Sequence, residues 1–246
     1  MNMSTPSPPH GPPRPHAVTT TQPLDLIVKC GVPELDGLLD GFHAGALTLV
    51  DGNSSLISEL PNQLCVHTYQ TFHAPTLYID GGMAANPYRI AAYARALQLD
   101  ASDVLSSVSI ARAFTLYQLS SLIQDLLEPT IQQQSPRSLI IGRFPSLYLD
   151  PDVPEDEASI LLGTTLDVLR RLTTQYRLIT VLTNKDKTIL PSQRGLRDTL
   201  YDKATNVIRI KEFDDCVYLD SLKNKRTSTI VHADRAQQRL DAFIGG

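Results

Sequence analysis

The chain has 246 residues, more than the ~100–200 of an ordinary domain and enough for one large α/β domain with a tail. Apolar residues make up 42% and charged residues 20%, values of a packed globular chain, which exclude collagen-like, coiled-coil and wholly disordered classes. The net charge of −4 is too mild to identify a partner, so any nucleic-acid role must rest on a local patch.

Residues 1–23 carry seven prolines and one formally charged residue, Arg14, with no apolar periodicity. Such a segment buries too little to offset its chain entropy, and a disordered proline-rich tail is expected ahead of a core domain over 24–246. From Leu24 onward, short runs rich in Val, Ile and Leu predict buried strands at 46–50, 76–79, 108–111, 138–141 and 178–182. Helices are predicted between them at 58–71, 87–97, 116–128 and 157–176. The last places Ile160, Leu161, Leu166, Leu169 and Leu172 at roughly helical spacing, with Arg170 and Arg171 near its end, where cations suit the helix dipole. The alternation predicts an α/β fold, a mostly parallel sheet flanked by helices. After Leu182 the pattern changes to runs at 206–213, 216–222 and 227–232, which predict antiparallel strands at one edge.

Cys30, Cys65 and Cys216 are widely spaced and fit neither a disulfide framework nor a C-x-x-C metal site. His67 and His73 lack a third ligand nearby, so no metal is expected. No stretch approaches the ~20 apolar residues of a membrane span, and an intracellular location, cytoplasmic or nuclear/nucleoid, is expected without a membrane partner.

The predicted first core strand leads into a helix through Asp51 and Gly52, the place of a phosphate loop. In a working loop, G-x-x-x-x-G-K-[ST], glycines let backbone N–H groups face the phosphates, lysine neutralises them and a hydroxyl holds Mg²⁺. Here Gly52 opens the loop and Asn53, Ser54, Ser55 and Leu56 follow, but Ile57 stands for the second glycine, Ser58 for the lysine and Glu59 for the hydroxyl. Glu59 is expected to bring negative charge close to the phosphate seat, which disfavours nucleotide binding in the usual manner.

Upstream lies Cys30-Gly31-Val32-Pro33-Glu34-Leu35-Asp36-Gly37-Leu38-Leu39. Downstream come Thr76-Leu77-Tyr78-Ile79-Asp80, Pro87-Tyr88-Arg89-Ile90, Ser102-Asp103-Val104-Leu105 and Ala111-Arg112-Ala113-Phe114. In order and spacing these strings resemble the RecA/RadA recombinase family, in its archaeal and eukaryotic branch and that branch's paralogs. The resemblance implies a RecA-like fold of the P-loop kind. It also implies that Leu139-Ile140-Ile141-Gly142 is the second nucleotide motif, with Gly142 where an Asp would coordinate Mg²⁺. The run Thr180-Val181-Leu182-Thr183-Asn184-Lys185 resembles the strand ending in T-N-Q, with Lys185 for Gln. The family's water-activating Glu, shortly after Asp80, falls at Gly81 or Gly82. With lysine, hydroxyl, Asp and Glu all replaced, the resemblance implies a degenerate paralog, a pseudo-ATPase with no cofactor.

The first DNA-facing loop of the family would fall at 150–157, where Asp150, Asp152, Glu155, Asp156 and Glu157 repel a phosphate backbone. The second would fall at 185–203, where Lys185, Lys187, Arg194, Arg197 and Lys203 outnumber Asp186, Asp198 and Asp202, a weak basic patch. The filament-forming F-x-x-A segment is not visible before the core. These features imply an accessory or regulatory subunit in homologous recombination and DNA repair. Its expected partner is a RecA/RadA-family recombinase or another paralog, met through the sheet edges and residues 24–39, with DNA contacted weakly through Lys185, Lys187, Arg194 and Arg197. The competing reading is a divergent KaiC-like or RecA-like ATPase or nucleotide sensor, completed by a partner subunit; only then would ATP and Mg²⁺ be cofactors. A scaffold unrelated to DNA that retains the fold is the third.

Overall fold

The computed structural model describes residues 26–185 and 194–231. The tail expected at 1–23 and Lys187 of the basic patch lie outside the described residues. A short antiparallel ribbon of β1 (Ile27–Val28) and β2 (Phe42–His43) brackets helix α1 (Pro33–Leu39). The main sheet then runs through β3 (Leu47–Gly52), β4 (Thr76–Asp80), β5 (Val108–Arg112), β6 (Ser138–Gly142), β7 (Ile179–Lys185), β8 (Asn206–Glu212), β9 (Cys216–Ser221) and β10 (Arg226–Val231). Their spatial order is β10-β9-β8-β3-β7-β6-β4-β5. Strands from β8 to β5 are parallel, and β8, β9 and β10 form an antiparallel edge, so the expected RecA-like α/β arrangement is the one observed.

Residues alternate between two cores because successive side chains of a strand point to opposite faces. Leu47, Leu49, Ile79 and Leu139 pack beneath α7 (Glu155–Gln175) through Leu162, Leu166 and Leu169. Val50, Tyr78, Ile140 and Val181 pack beneath α2 (Leu56–Phe72) through Ile57, Leu60 and Leu64. Each fully buried aliphatic side chain contributes roughly 1.5–3 kcal/mol, which makes these two layers the main source of stability.

Local chemistry sets the helix boundaries. Helix α3 (Pro87–Ala96) starts where Asn86 accepts from the Tyr88 and Arg89 N–H groups, with proline in the first turn. Asp100 does the same for α4 (Ala101–Ser106), an element not expected from periodicity. Glu155, Asp156 and Glu157 form the first turn of α7, where acidic residues suit the dipole. The helix expected at 116–128 is three pieces: α5 (Leu116–Ser121), a π-turn at Leu122–Leu126 and α6 (Leu127–Gln134). Pro129 explains the break, since its missing N–H cannot complete an α-helical bond to the preceding turn. The segment read as a loop at 185–203 contains helix α8 (Arg194–Lys203), whose Leu196 and Leu200 are buried on the α7 side of the sheet.

Candidate functional site

Four parallel strands end side by side on one rim: β3 at Gly52, β7 at Lys185, β6 at Gly142 and β4 at Asp80. Gly52 stands opposite Lys185, and Asp80 opposite Gly142. The carboxyl ends of parallel strands are where open α/β sheets place ligands. The fold therefore gathers the residues singled out in the sequence on one crevice.

The loop after β3 is closed on its own chain. Gly52 has φ +147°, and a Cβ there would lie 1.8 Å from the Ile210 carbonyl oxygen, so only glycine lets β3 pass β8 this closely. The Asn53 N–H donates to that carbonyl at 3.2 Å, and Asn53 Oδ1 accepts the Glu212 N–H at 2.9 Å. The Ser55 N–H donates to Glu212 Oε2 at 2.8 Å, and its hydroxyl lies 3.4 Å from the same oxygen. The following N–H groups turn inward: Leu56 donates to Ser54 Oγ at 3.2 Å, Ile57 to Ser54 O at 3.2 Å, and Ser58 to Ser55 O at 3.0 Å.

Glu59 does not face this loop, contrary to the reading of the sequence. Its Oε2 accepts from the Tyr93 hydroxyl at 2.9 Å, and its Oε1 lies 3.7 Å from Arg89 Nη2, so the charge is held against α3. Burial, then the bond to Glu59, pushes the Tyr93 hydroxyl above its ordinary range.

Asp80 is fully buried and ties the turn that follows β4. Its Oδ1 accepts the Gly82 N–H at 3.1 Å and the Ala84 N–H at 2.9 Å, and its Oδ2 accepts the Ala85 N–H at 3.1 Å and Arg112 Nε at 3.2 Å. A Cβ at Gly82 would meet Arg143 Cδ at 2.4 Å, and one at Gly142 would lie 3.0 Å from the Tyr78 hydroxyl oxygen. That hydroxyl is buried and has no hydrogen-bond partner among the described residues. The space next to Gly142 is thus taken up by an aromatic ring.

A further cluster, missed in the sequence, sits one residue before the loop. Asp51 Oδ1 accepts Asn184 Nδ2 at 2.7 Å, and its Oδ2 accepts the Tyr201 hydroxyl of α8. Arg209 Nη2 donates to the same hydroxyl at 2.9 Å and lies 5.5 Å from the Tyr201 ring centre. Burial, followed by the bond to Asp51, pushes the Tyr201 hydroxyl up to about 12. These contacts pin α8 and β8 to the end of β3.

The residues present do not fit a magnesium–triphosphate: the loop's N–H groups from Ser55 to Ser58 already have partners within the chain, a carboxylate lies on the first of them, and Gly142 offers no ligand. Among the described residues no group of three or more His, Cys, Asp and Glu side chains is placed to hold a metal.

A family model described as Rad51 matches residues 24–192, more than half of the chain. The chain belongs to the Rad51 family. It is 28% identical over 184 residues to a DNA repair protein Rad51 homolog of Drosophila melanogaster, covering 70% of this chain and 54% of the fly protein. The chain thus spans about half the length of that relative. Of the residues where the family resemblance points to DNA, Lys185 ends β7, Arg194 opens α8, and Arg197 pairs with neighbouring Asp198 at 3.2 Å. No helix among the described residues is long and apolar enough to cross a membrane.

The structure adds one surface that sequence reasoning did not find. Strand β5 ends the sheet, and an apolar groove of about 230 Å³ runs between it and the π-turn, lined by Ile110, Ala111, Leu122, Leu126, Leu127 and Thr130. It continues into a second hollow bordered by Phe114, with Phe114 65% and Leu126 54% exposed. The signal available in the sequence was Pro129, which opens the helix turn at the groove.

Proposed function

We propose that the protein is a non-catalytic Rad51-family paralog, a pseudo-ATPase that serves as an accessory or regulatory subunit in homologous recombination and DNA repair. The observation that carries this reading is the state of the phosphate loop: the backbone N–H groups that would cradle a phosphate in a working loop bond instead to Glu212, Ser54 and Ser55. The absence of lysine at Ser58 and of carboxylates at Gly81, Gly82 and Gly142 supports it, because phosphoryl transfer depends on positioned charge.

Partner contact is assigned to the β5 edge. An edge strand beside an apolar groove suits strand addition, in which an extended segment of a recombinase relative pairs with β5 and lays an apolar side chain between Ile110 and Leu126. Any DNA contact is assigned to Lys185, Lys187, Arg194 and Arg197, since the carboxylates at 150–157 repel phosphates.

Affinity capture of the full chain from native extract tests the reading, together with an ATPase assay on the captured complex and on the protein alone. A recombinase relative is expected in the wild-type eluate and absent with Leu126→Glu, while the protein alone hydrolyses no ATP above background. Turnover by the isolated chain, lost on changing the loop, would overturn the reading.

A further inference from the structure

We infer that Glu212 is a built-in anion that occupies the phosphate loop and latches it to the antiparallel edge of the sheet. This rests on the pseudo-ATPase reading and deepens it, since it names what closes the loop. A helix start attracts anions through its free N–H groups and dipole. Here an anion is present at the start of α2, and it comes from the end of β8, 157 residues farther along the chain. Among the described residues, three contacts with the loop hold it. Ser55 donates through its N–H at 2.8 Å and presents its hydroxyl at 3.4 Å. Asn53 accepts the N–H of Glu212 itself at 2.9 Å, so backbone and side chain of one residue both engage the loop. Gly52 permits the approach, because any Cβ at this position would collide with the Ile210 carbonyl two residues before Glu212.

The consequence is a closed unit. A phosphate entering the loop would have to displace a tethered carboxylate, an obstacle to nucleotide separate from the loss of the lysine. The same contact ties the loop to the β8–β9–β10 edge, so the loop and that edge move together.

Two measurements test this. The first is amide hydrogen exchange at Ser55 in the full chain. Glu212→Gln removes the charge from the bond and Glu212→Ala removes the bond, and exchange at Ser55 is expected to accelerate about tenfold in the Ala variant and less in the Gln variant. The core amides of β3 serve as the internal control for folding. Unchanged exchange at Ser55 in both variants would overturn the latch. The second restores the loop motif with Ile57→Gly, Ser58→Lys and Glu59→Thr, with and without Glu212→Ala, and titrates ADP. The latch predicts that affinity rises by about tenfold or more when the Glu212 change is added to the restored loop. Equal affinity in the two backgrounds would overturn it. Failure of the pseudo-ATPase reading looks different, because the unaltered chain would then bind nucleotide with Glu212 in place.

Discussion

The crevice at the strand ends and the groove along β5 belong to the same sheet, yet they treat their surroundings in opposite ways. At the crevice the main polar groups bond within the chain: Asp80 collects three backbone N–H groups and Arg112, the loop N–H groups bond to the chain, and Glu212 covers the helix start. Along β5 the apolar side chains of Phe114 and Leu126 are left in water. A site that a ligand must enter keeps unsatisfied groups in reserve, and the crevice keeps few. An exposed apolar hollow beside an edge strand has the opposite character, since burial by a partner gains free energy there. One sheet can thus hold its strand ends closed on themselves while it leaves apolar surface exposed at another edge.

The largest effect on stability is expected at Asp80. If its carboxylate organises the turn and not a ligand, Asp80→Ala leaves three N–H groups and Arg112 without a partner, and chemical denaturation is expected to show a loss of about 3–5 kcal/mol. A loss below about 1 kcal/mol would mean that the rim is not bound together as described. Next in size is Gly142→Asp, which adds a carboxylate at the end of β6 but places atoms against the Tyr78 ring; it is expected to cost about 1–3 kcal/mol. Adding Tyr78→Phe removes the nearest atom and the unpartnered hydroxyl, and should recover part of that cost in a double-mutant cycle.

The polar cluster at the end of β3 binds the rim more weakly. Tyr201→Phe is expected to cost about 1–2 kcal/mol at neutral pH, because Asp51 and Arg209 lose a shared partner. The folded state raises the Tyr201 hydroxyl from its ordinary value of 10.0 to about 12, so it favours the protonated form. The stability this residue adds is therefore complete below pH 10 and is lost as pH rises through about 12, and the gap between wild type and Tyr201→Phe should narrow across that window. The smallest effect on stability is expected for Leu126→Glu, within about 0.5 kcal/mol because the side chain already faces solvent, while capture of a recombinase relative is lost.

Much of the frame is legible in the sequence for a physical reason. Strands β3, β4, β6 and β7 are covered on both faces, so they read as continuous apolar runs, and their order with the helices follows from alternation. Helix α8 was hidden because Arg194, Arg197, Asp198, Asp202 and Lys203 outweigh the single apolar pair Leu196 and Leu200. The continuation past Pro129 was hidden because a proline ordinarily ends a helix, and here a π-turn carries the chain through. At the site, Gly52, Asp80 and Gly142, which the resemblance singles out, do end on one rim, because each closes a strand whose apolar run is visible in the sequence. The direction of Glu59 and the reach of Glu212 were not legible, because each depends on a contact between elements distant in the chain, with Tyr93 in one case and Ser55 in the other.

Whether the crevice is closed to nucleotide is decided by calorimetric titration of the full, unaltered chain with ATP and Mg²⁺. No saturable heat is expected up to millimolar ATP, equivalent to a binding free energy weaker than about −4 kcal/mol. Saturable binding in the micromolar range, about −8 kcal/mol, would contradict it.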